Sequence, residues 1–237
     1  MVVRLISISP TLTCFITRRV NRFVTMVKCF GREYPALNTN TGRLPGLLTP
    51  GRVAYCVRKR TGRLPLRLLG VNMSKGVALT DVFVQMRSFE RAVELGAIPW
   101  LANCVIARRN PKVGESRLDY LIKCPSGDVW VELKSAVLVH GDNLAGYPDC
   151  PSLRGRKHIM ELIKLCREGG IAMIIFIAAL PGVKGFKPYE QGDPEISRLL
   201  KEALRFGVGI KALGISGIVK ENSLITYLWS SDLPVYL

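Results

Sequence analysis

Acidic residues are nearly absent from the first third of this 237-residue chain. Residues 1–67 hold 13 Lys and Arg but a single acid, Glu33, so their balance is 13 − 1 = +12 of a formal net charge of +16. Residues 68–237 hold 21 Lys and Arg against 17 acids, a balance of 21 − 17 = +4. Lys and Arg displace counterions from phosphates, so such a basic module favours a nucleic acid as partner. Basicity that serves only solubility is the alternative.

The sequence also lacks paired cysteines and long apolar runs. Its seven cysteines form no CxxC pair and are odd in number, which argues against a disulfide framework and against a structural zinc site. Scattered thiols are typical of a reducing compartment, so we expect a cytoplasmic protein. The N-terminus has no uninterrupted apolar core of a signal peptide, and the most apolar run, 171–180, is about half as long as a membrane span. We therefore expect no membrane association.

Turn residues divide the first third into short β-rich runs. Strands are predicted at 15–20, 23–30, 53–57 and 64–71, and a connecting strand at 79–84. Short strands with frequent Gly, Pro and Asn turns favour a small barrel.

The remainder of the chain alternates between helix and strand patterns. Helices are predicted at 88–95, 152–167 and 194–206, and strands at 117–123, 129–135, 171–180, 210–215 and 224–229. This alternation predicts an α/β layer. We place a domain boundary near residue 77, with a first domain at 1–77, in which 1–18 are an extra N-terminal segment, and a second domain at 78–237.

Two carboxylates and an ammonium fall on one face of the hairpin predicted in the second domain. Glu132 and Lys134 are two residues apart on a strand, so their side chains share a face. If Lys123 pairs with Asp128, Asp119 lies directly opposite Glu132. Two close carboxylates favour a hard cation such as Mg²⁺ or Mn²⁺, which can activate water and neutralise charge on a scissile phosphate.

The roles within this hairpin follow from its chemistry. Asp119 and Glu132 are the predicted metal ligands, and Glu90 on the preceding helix is a candidate for a further ligand. Lys134 would orient or deprotonate the attacking water, or stabilise the transition state. The alternative is an ordinary salt bridge of Lys134 with either acid, because this spacing often arises by chance.

A second polar cluster lies at the start of the helix predicted at 152–167. Arg154, Arg156 and Lys157 oppose the helix dipole there, which indicates a phosphate nearby. A solvated basic face is the alternative. His158 is more typical of a structural histidine than of a base, and Asp149 is a helix-start acid, an arginine partner or an extra metal ligand.

Loops of the first domain supply further candidates for nucleic-acid contact. The segment Asn40-Thr41-Gly42-Arg43 offers amide, hydroxyl and guanidinium donors that suit a phosphate or an exposed base, although an ordinary turn has the same composition. The basic run Arg58-Lys59-Arg60 is expected to follow a nucleic-acid backbone.

Several short motifs, in this order and spacing, resemble the sugar fermentation stimulation protein A family from about Arg19 to the C-terminus. They are Arg22-Phe23, Asn40-Thr41-Gly42-Arg43-Leu44, Leu48-Thr49-Pro50-Gly51, Ser116-Arg117-Leu118-Asp119-Tyr120, Val131-Glu132-Leu133-Lys134-Ser135, Tyr147-Pro148-Asp149 and Arg154-Gly155-Arg156-Lys157-His158. The residues of these motifs add Arg22 and Arg117 to the expected nucleic-acid contacts.

The resemblance implies an α/β protein with an N-terminal OB-like small β-barrel, followed by a domain similar to the PD-(D/E)XK nucleases with a mixed central sheet. It also implies DNA binding. In the wider nuclease pattern, Asp119 and Glu132 take the positions of the metal-binding acids and Lys134 that of the catalytic lysine.

Two functions are consistent with these observations. The first is a metal-dependent nuclease acting on single- or double-stranded DNA, which the acids and the lysine favour. The second is a DNA-binding regulator of sugar metabolism that keeps the nuclease fold without cleavage, which the family name favours. A weaker third is a binder of single strands or RNA with no catalytic role. A homodimer is compatible with all three.

Overall fold

The computed structural model describes residues 2–237, which form a barrel and a mixed sheet flanked by helices. The strands of the first third are β1 (Val3–Ile8), β2 (Leu12–Arg19), β3 (Val24–Cys29), β4 (Arg32–Leu37), β5 (Val53–Arg58), β6 (Leu66–Met73) and β7 (Gly76–Leu79). The later strands are β8 (Val105–Arg109), β9 (Lys112–Val113), β10 (Ser116–Arg117), β11 (Tyr120–Cys124), β12 (Gly127–Ala136), β13 (Leu138–His140), β14 (Leu144–Tyr147), β15 (Ile171–Ala178), β16 (Phe186–Pro188), β17 (Gly209–Lys220) and β18 (Ser223–Ser230).

The helices are α1 (Val82–Glu94), α2 (Leu153–Arg167) and α3 (Pro194–Arg205), with a short 3₁₀ turn at Pro99–Leu101. α2 and α3 agree closely with their predicted positions. Along residues 2–237, no helix combines the length and apolar character that a membrane crossing requires.

Strands β2 to β6 form a closed five-stranded barrel in the order β4-β3-β2-β5-β6, which closes where β4 pairs in parallel with β6. The four runs predicted as strands in this region correspond to β2, β3, β5 and β6. The sequence does not predict β4, because Pro35 lacks a backbone donor and the charged residues Arg32 and Glu33 interrupt the apolar alternation. Closure leaves the barrel without a long exposed edge.

The second half is built on a mixed sheet in the order β7-β17-β15-β12-β11-β8, with β18 beside β17. Strands β12, β15 and β17 run parallel, whereas β11 and β18 are antiparallel to their neighbours. β15 is almost continuously apolar, as expected of a strand covered on both faces. The predicted fold class, an α/β chain with an N-terminal barrel and a mixed sheet, is confirmed.

The first strand lies apart from the barrel. β1 pairs antiparallel with β18, with Val3 opposite Leu228, and thereby joins the two ends of the chain. Within residues 2–18, β1 thus belongs to the sheet of the second half and most of β2 to the barrel, and the assignment of 1–18 as an extra N-terminal segment stays a prediction. The domain boundary near residue 77 stays a prediction.

Residues 79–84 do not form the connecting strand predicted for them. β7 ends at Leu79, and α1 begins at Val82 after Asp81, whose carboxylate accepts a hydrogen bond from the Val84 amide at 2.9 Å. The run of β-branched and aromatic residues there favours a strand locally. The Asp81 cap and the burial of Val84 override this preference.

Two disulfides correct the expectation of a chain without a disulfide framework. Cys14 pairs with Cys29 and Cys104 with Cys124, with Cα–Cα distances of 4.5 and 4.2 Å. The first pair faces across β2 and β3, and the second lies at the end of the ladder between β8 and β11. Strand register, which brings these cysteines together, is not visible in their spacing along the sequence. The cytoplasmic location stays a prediction and loses the support of scattered thiols.

Candidate active site

The hairpin of β11 and β12 has the register that the sequence analysis assumed, with Lys123 opposite Asp128. The ladder ends at Tyr120, and Asp119 lies directly before the first residue of β11. There the Asp119 carboxylate accepts a hydrogen bond from the backbone amide of Leu133 at 2.8 Å. This contact fixes Asp119 beside the central strand β12.

Asp119, Glu132 and Lys134 line one cavity of about 190 Å³. Glu132 is 3% exposed and Lys134 is 8% exposed, and the Lys134 ammonium donates to Oε1 of Glu132 at 2.7 Å. The salt bridge of the alternative interpretation is therefore present. Its burial distinguishes it from an ordinary surface pair, because removing two charges from water costs several kcal/mol per ion, about as much as their pairing returns.

The Glu132 carboxylate is only half satisfied. His158 Nδ1 donates to the same Oε1 that accepts from Lys134. The other oxygen, Oε2, is buried and finds no hydrogen-bond partner anywhere in residues 2–237. An unpaired buried acceptor costs about 1–3 kcal/mol, and a cation at this oxygen would remove that cost.

The ionisation of the two acids differs because their neighbours differ. Although burial opposes ionisation of Glu132, Lys134 and His158 hold its pKa below the ordinary value. Burial, and then the charge of Glu132, raise the pKa of Asp119 to about 6. Two carboxylates with separated pKa values are characteristic of functional sites.

Lys134 is held in its charged form. Burial acts to lower its pKa, but the Glu132 charge and other neighbours hold the pKa above the ordinary value. In this arrangement Lys134 donates hydrogen bonds and stabilises negative charge. It is therefore better suited to orient water or a phosphate than to act as a base.

The donor set fits a hard divalent cation. Asp119 and Glu132 contribute carboxylate oxygens to one cavity, and Oε2 of Glu132 lacks a partner within the described chain. A cluster of three or more His, Cys, Asp or Glu side chains able to hold a metal is absent from residues 2–237. Water or substrate oxygens would have to complete the coordination shell.

Glu90 lies outside this cavity. Its Oε1 accepts hydrogen bonds from Arg109 Nε at 2.7 Å and from the Tyr120 hydroxyl at 3.0 Å. The structure does not bring Glu90 to the two acids, since α1 directs it toward β8. Its role as a metal ligand stays a prediction, without support from this geometry.

The cations at the start of α2 separate into different environments. Arg154 lines the cavity of the two acids and donates to His158 Nε2 at 3.4 Å. Arg156 forms two hydrogen bonds with Asp193, at 3.0 and 2.8 Å, and Asp193 also accepts from the Ser152 amide. Asp193 thus supplies the negative charge at the helix start that the sequence analysis assigned to a phosphate.

Lys157 and Arg117 are exposed and carry weak internal contacts. Lys157 donates to Glu115 at 3.1 Å, and Arg117 donates to the Asn110 carbonyl at 3.1 Å. Exposed pairs of this kind contribute little to stability, so both side chains remain accessible to a polyanion.

The loop at residues 40–44 is joined to the second half of the chain by Asp149. Oδ2 of Asp149 accepts the Leu44 amide at 2.6 Å. Arg19 holds the same loop from the barrel side by donating to the carbonyls of Gly42 and Arg43. None of the three roles considered for Asp149, namely helix-start acid, arginine partner and metal ligand, describes this contact, because its carboxylate accepts a hydrogen bond from a backbone amide.

The predicted contacts of the first domain occupy two places. Arg22, Asn40 and Thr41 line a cavity between the barrel and the second half, beside the exposed Arg43. The basic run at residues 58–60 lies elsewhere on the barrel, where its first two residues line a separate pocket and its third is exposed in the following turn. These candidates therefore do not form one continuous cluster.

Sequence reasoning underrated His158 and did not identify Ser135 and Arg19. His158 lies 26 residues from Glu132, and only the packing of α2 on the sheet brings them together. Ser135 directly follows Lys134 in one of the motifs, and that position was its signal. For Arg19 the sequence offered none, because its partners are backbone carbonyls.

Comparisons with known proteins agree with this architecture. A family model described as the SfsA N-terminal OB domain matches residues 17–80, and one described as the sugar fermentation stimulation protein RE domain matches residues 84–219. A sugar fermentation stimulation protein homolog from Pyrococcus furiosus is 51% identical over 212 residues, covering 90% of this chain and 92% of the relative. A homolog from Archaeoglobus fulgidus is 45% identical over 200 residues, covering 84% and 87%.

A solved structure is also similar over the whole chain. The structure of Pyrococcus furiosus SfsA in complex with Ca²⁺ has a TM-score of 0.93 and 48% identity, covering 99% of this chain and 100% of that one. Its fold is therefore shared across both halves of the molecule.

Proposed function

Because this chain belongs to the sugar fermentation stimulation protein family, we propose that it binds DNA and cleaves phosphodiester bonds at a divalent-metal site formed by Asp119 and Glu132. The observation that carries the proposal is the buried Glu132 carboxylate, which has one oxygen on Lys134 and the other without a partner in the described chain. The Ca²⁺ in the relative's structure supports a divalent cation as ligand.

DNA binding is supported by charge and by fold together. Residues 1–67 carry +12 of the net charge of +16, and most of these residues form the OB barrel and its loops. OB barrels bind oligonucleotides on a strand face and its flanking loops. We propose Arg22, Asn40, Thr41, Arg43 and the run Arg58-Lys59-Arg60 as contacts on this side.

On the second half, the exposed Arg117, Arg154 and Lys157 are proposed to hold the strand near the acids. Arg156 is a weaker candidate because Asp193 already occupies its guanidinium. Arg154 is the cation of this set that lines the cavity of Asp119 and Glu132, so its guanidinium is suited to a phosphate oxygen.

The chemistry divides between the cation and the chain. Mg²⁺ or Mn²⁺, when bound, would polarise the phosphate and lower the pKa of a water. Lys134 offers its ammonium to the negative charge that grows on the phosphate. His158, with Nε2 accepting from Arg154, carries its proton on Nδ1 and holds Glu132 in place.

A non-catalytic DNA-binding regulator is the second candidate. It is favoured by the Lys134 and His158 contacts to Oε1 of Glu132, which neutralise this carboxylate without a metal. In this case the buried contacts of Lys134 and His158 with Glu132 would serve the specificity of folding.

The test compares wild type, Glu132→Gln and Glu94→Gln on single- and double-stranded DNA, with Mn²⁺, with Mg²⁺ and with a chelator. Glu94 is an exposed acid on α1 and serves as the matched control. We expect metal-dependent cleavage by wild type and the control, and none by Glu132→Gln. Equal cleavage by Glu132→Gln would contradict the site. Binding without cleavage by wild type on every substrate would favour the regulator.

Two further expectations remain predictions. Sedimentation of the purified chain tests the homodimer, and fractionation of cells tests the cytoplasmic location.

A further inference from the structure

A second cavity, of about 290 Å³, lies between the barrel and the second half of the chain. One wall is formed by Arg22 and residues 40–42, and the other by Ser135 on β12 and residues 147–152. We call it the junction cavity. Its volume lies near the lower end of the range for small-ligand pockets, about 300–1,000 Å³, and thus suits one small ligand.

The wall on the barrel side is held by hydrogen bonds from several directions. Oδ1 of Asn40 accepts the Gly42 amide at 3.1 Å, and Asp149 accepts the Leu44 amide at 2.6 Å. Between these two contacts, the Arg19 guanidinium donates hydrogen bonds to the carbonyls of Gly42 and Arg43. A wall fixed in this way is organised before a ligand arrives, which reduces the entropic cost of binding.

The junction cavity adjoins the cavity of the two acids. Ser135 lines both, and its hydroxyl accepts a hydrogen bond from Asn40 Nδ2 at 3.1 Å. Ser135 directly follows Lys134 on β12. A ligand in the junction cavity therefore lies against the same strand that carries Glu132 and Lys134.

The lining combines the groups that recognise a nucleoside. Tyr147 supplies an aromatic ring and Val137 an apolar surface, while Thr41 and Asp149 supply a hydroxyl and a carboxylate. An aromatic ring offers stacking to any base, and polar groups pair with the base edge and the sugar. At the same cavity, Arg22 adds a guanidinium suited to a phosphate.

We propose that the junction cavity is a nucleotide subsite, which holds the base and sugar of one unpaired nucleotide next to the phosphodiester that lies at Asp119 and Glu132. This inference rests on the proposed function, since it assigns the neighbouring cavity to that phosphodiester. A base stacked in a duplex cannot enter a cavity. The substrate is therefore a single strand, a strand end or a nucleotide extruded from a duplex.

The first test removes the base from the substrate and fills the cavity in the protein. Single abasic residues are placed at each position of a short single-stranded oligonucleotide around the cleaved bond. Thr41→Trp fills the cavity from an exposed loop position, and Thr41→Ser is the matched control. Thermal melting verifies that both variants fold.

For wild type and Thr41→Ser, we expect an abasic residue at one position beside the cleaved bond to lower kcat/KM by about tenfold, the effect of losing one stacked base. Thr41→Trp should lose about tenfold on the intact strand and nothing more on the abasic strand. Equal sensitivity at all positions, or the same positional pattern in Thr41→Trp, would overturn the subsite. The abasic series with wild type decides the question even if Thr41→Trp fails to fold.

A binding measurement separates this proposal from the proposed cleavage. Fluorescence of 2-aminopurine, placed at successive positions of the same strand, is recorded with Ca²⁺ and wild type or Thr41→Trp. A change at one position that Thr41→Trp abolishes supports the subsite even if wild type cleaves nothing, so only the cleavage proposal would fail.

The same cavity lining could recognise a free nucleotide instead of a nucleotide within a strand. A third experiment, binding of nucleoside monophosphates, distinguishes these two ligands. Saturable binding of nucleoside monophosphates that Thr41→Trp abolishes, with no dependence on position in the strand, would overturn the assignment to a strand. Weak binding of free nucleotides together with a positional effect in the strand supports the proposal.

Discussion

Asp119 and Glu132 belong to one hairpin, yet their pKa values shift in opposite directions. Glu132 gains two hydrogen-bond donors, Lys134 and His158, which outweigh the cost of its burial. Burial, and then the neighbouring Glu132 charge, raise the pKa of Asp119 to about 6, although the hydrogen bond from the Leu133 amide opposes this rise. At the scale of single residues, the negative charge of Asp119 is therefore unfavourable in this site, and a bound cation would remove that cost.

This difference predicts how stability depends on pH in the absence of metal. An acid whose pKa is raised in the folded state favours folding below its unfolded value of 3.8, and this contribution is lost as pH rises through about 6. Asp119→Asn removes the charge and keeps an acceptor for Leu133. We expect the free energy of unfolding of Asp119→Asn to exceed that of wild type by about 3 kcal/mol above pH 7 and to be close to that of wild type near pH 4.

Urea unfolding in the presence of a chelator measures both free energies. Asp128→Asn, at an exposed acid near the start of β12 in the same hairpin, is the control and should leave the pH dependence unchanged. A variant Asp119→Asn that is less stable than wild type at every pH would show that this carboxylate is well satisfied without metal.

Individual elements show where local preference and tertiary context disagree. β15 follows its apolar pattern because both faces are covered. α1 begins in a run that favours a strand, and the cap of Asp81 determines the outcome. β2 and β3 bring together two cysteines that are 15 residues apart in sequence.

The pair Cys14 and Cys29 gives a prediction at the scale of these two strands. Replacing both by Ser opens a loop of 15 residues and should lower the free energy of unfolding by about 3 kcal/mol, because the unfolded chain regains entropy. Thermal melting measures the loss, and a reductant should lower the melting temperature of wild type more than that of the double variant. Cys166→Ser, which removes a free thiol, should change little. If the reductant leaves the melting temperature of wild type unchanged, the pairing of Cys14 with Cys29 is contradicted.

At the scale of the whole molecule, two contacts tie distant parts of the chain together. β1 pairs with β18, and Asp149 binds the loop at residues 40–44. The contact of Asp149 thus joins the two predicted domains at the junction cavity, which Asp149 lines.

Asp149 therefore has an effect beyond its own position. Asp149→Ala leaves the Leu44 amide without its acceptor and should cost about 1–3 kcal/mol of stability. Hydrogen exchange at the Leu44 amide should accelerate, whereas Asp149→Asn, which retains an acceptor oxygen, should show a smaller effect on both measures. Unchanged exchange in Asp149→Ala would show that the loop is held from the barrel side alone.

The charge distribution predicts that DNA affinity falls steeply with salt. Replacing Arg58, Lys59 and Arg60 by Ala should reduce the slope of log affinity against log salt by about one for each phosphate that is no longer neutralised. Replacing three exposed cations of the second half removes the same charge and should leave the slope nearly unchanged; these are Arg91, Lys164 and Lys220. Salt titrations by fluorescence anisotropy compare the two sets, and equal slopes would place the DNA elsewhere.

Local sequence patterns were sufficient to predict the basic first third, most of the barrel strands, the α/β alternation and the hairpin with Asp119, Glu132 and Lys134. These features are local, because charge, turn residues and a two-residue strand period are written in neighbouring positions. The register of the hairpin followed from one assumed pairing, which the structure contains.

The surroundings of these acids, in contrast, follow from tertiary packing. His158 contacts Glu132, and Glu90 contacts Arg109. Asp149 contacts the barrel loop at residues 40–44. In each case the two partners are many residues apart in the sequence. The disulfides and the pairing of β1 with β18 likewise depend on strand order. Packing of helices on the sheet and closure of the barrel bring these groups together, and neither is encoded in any short segment.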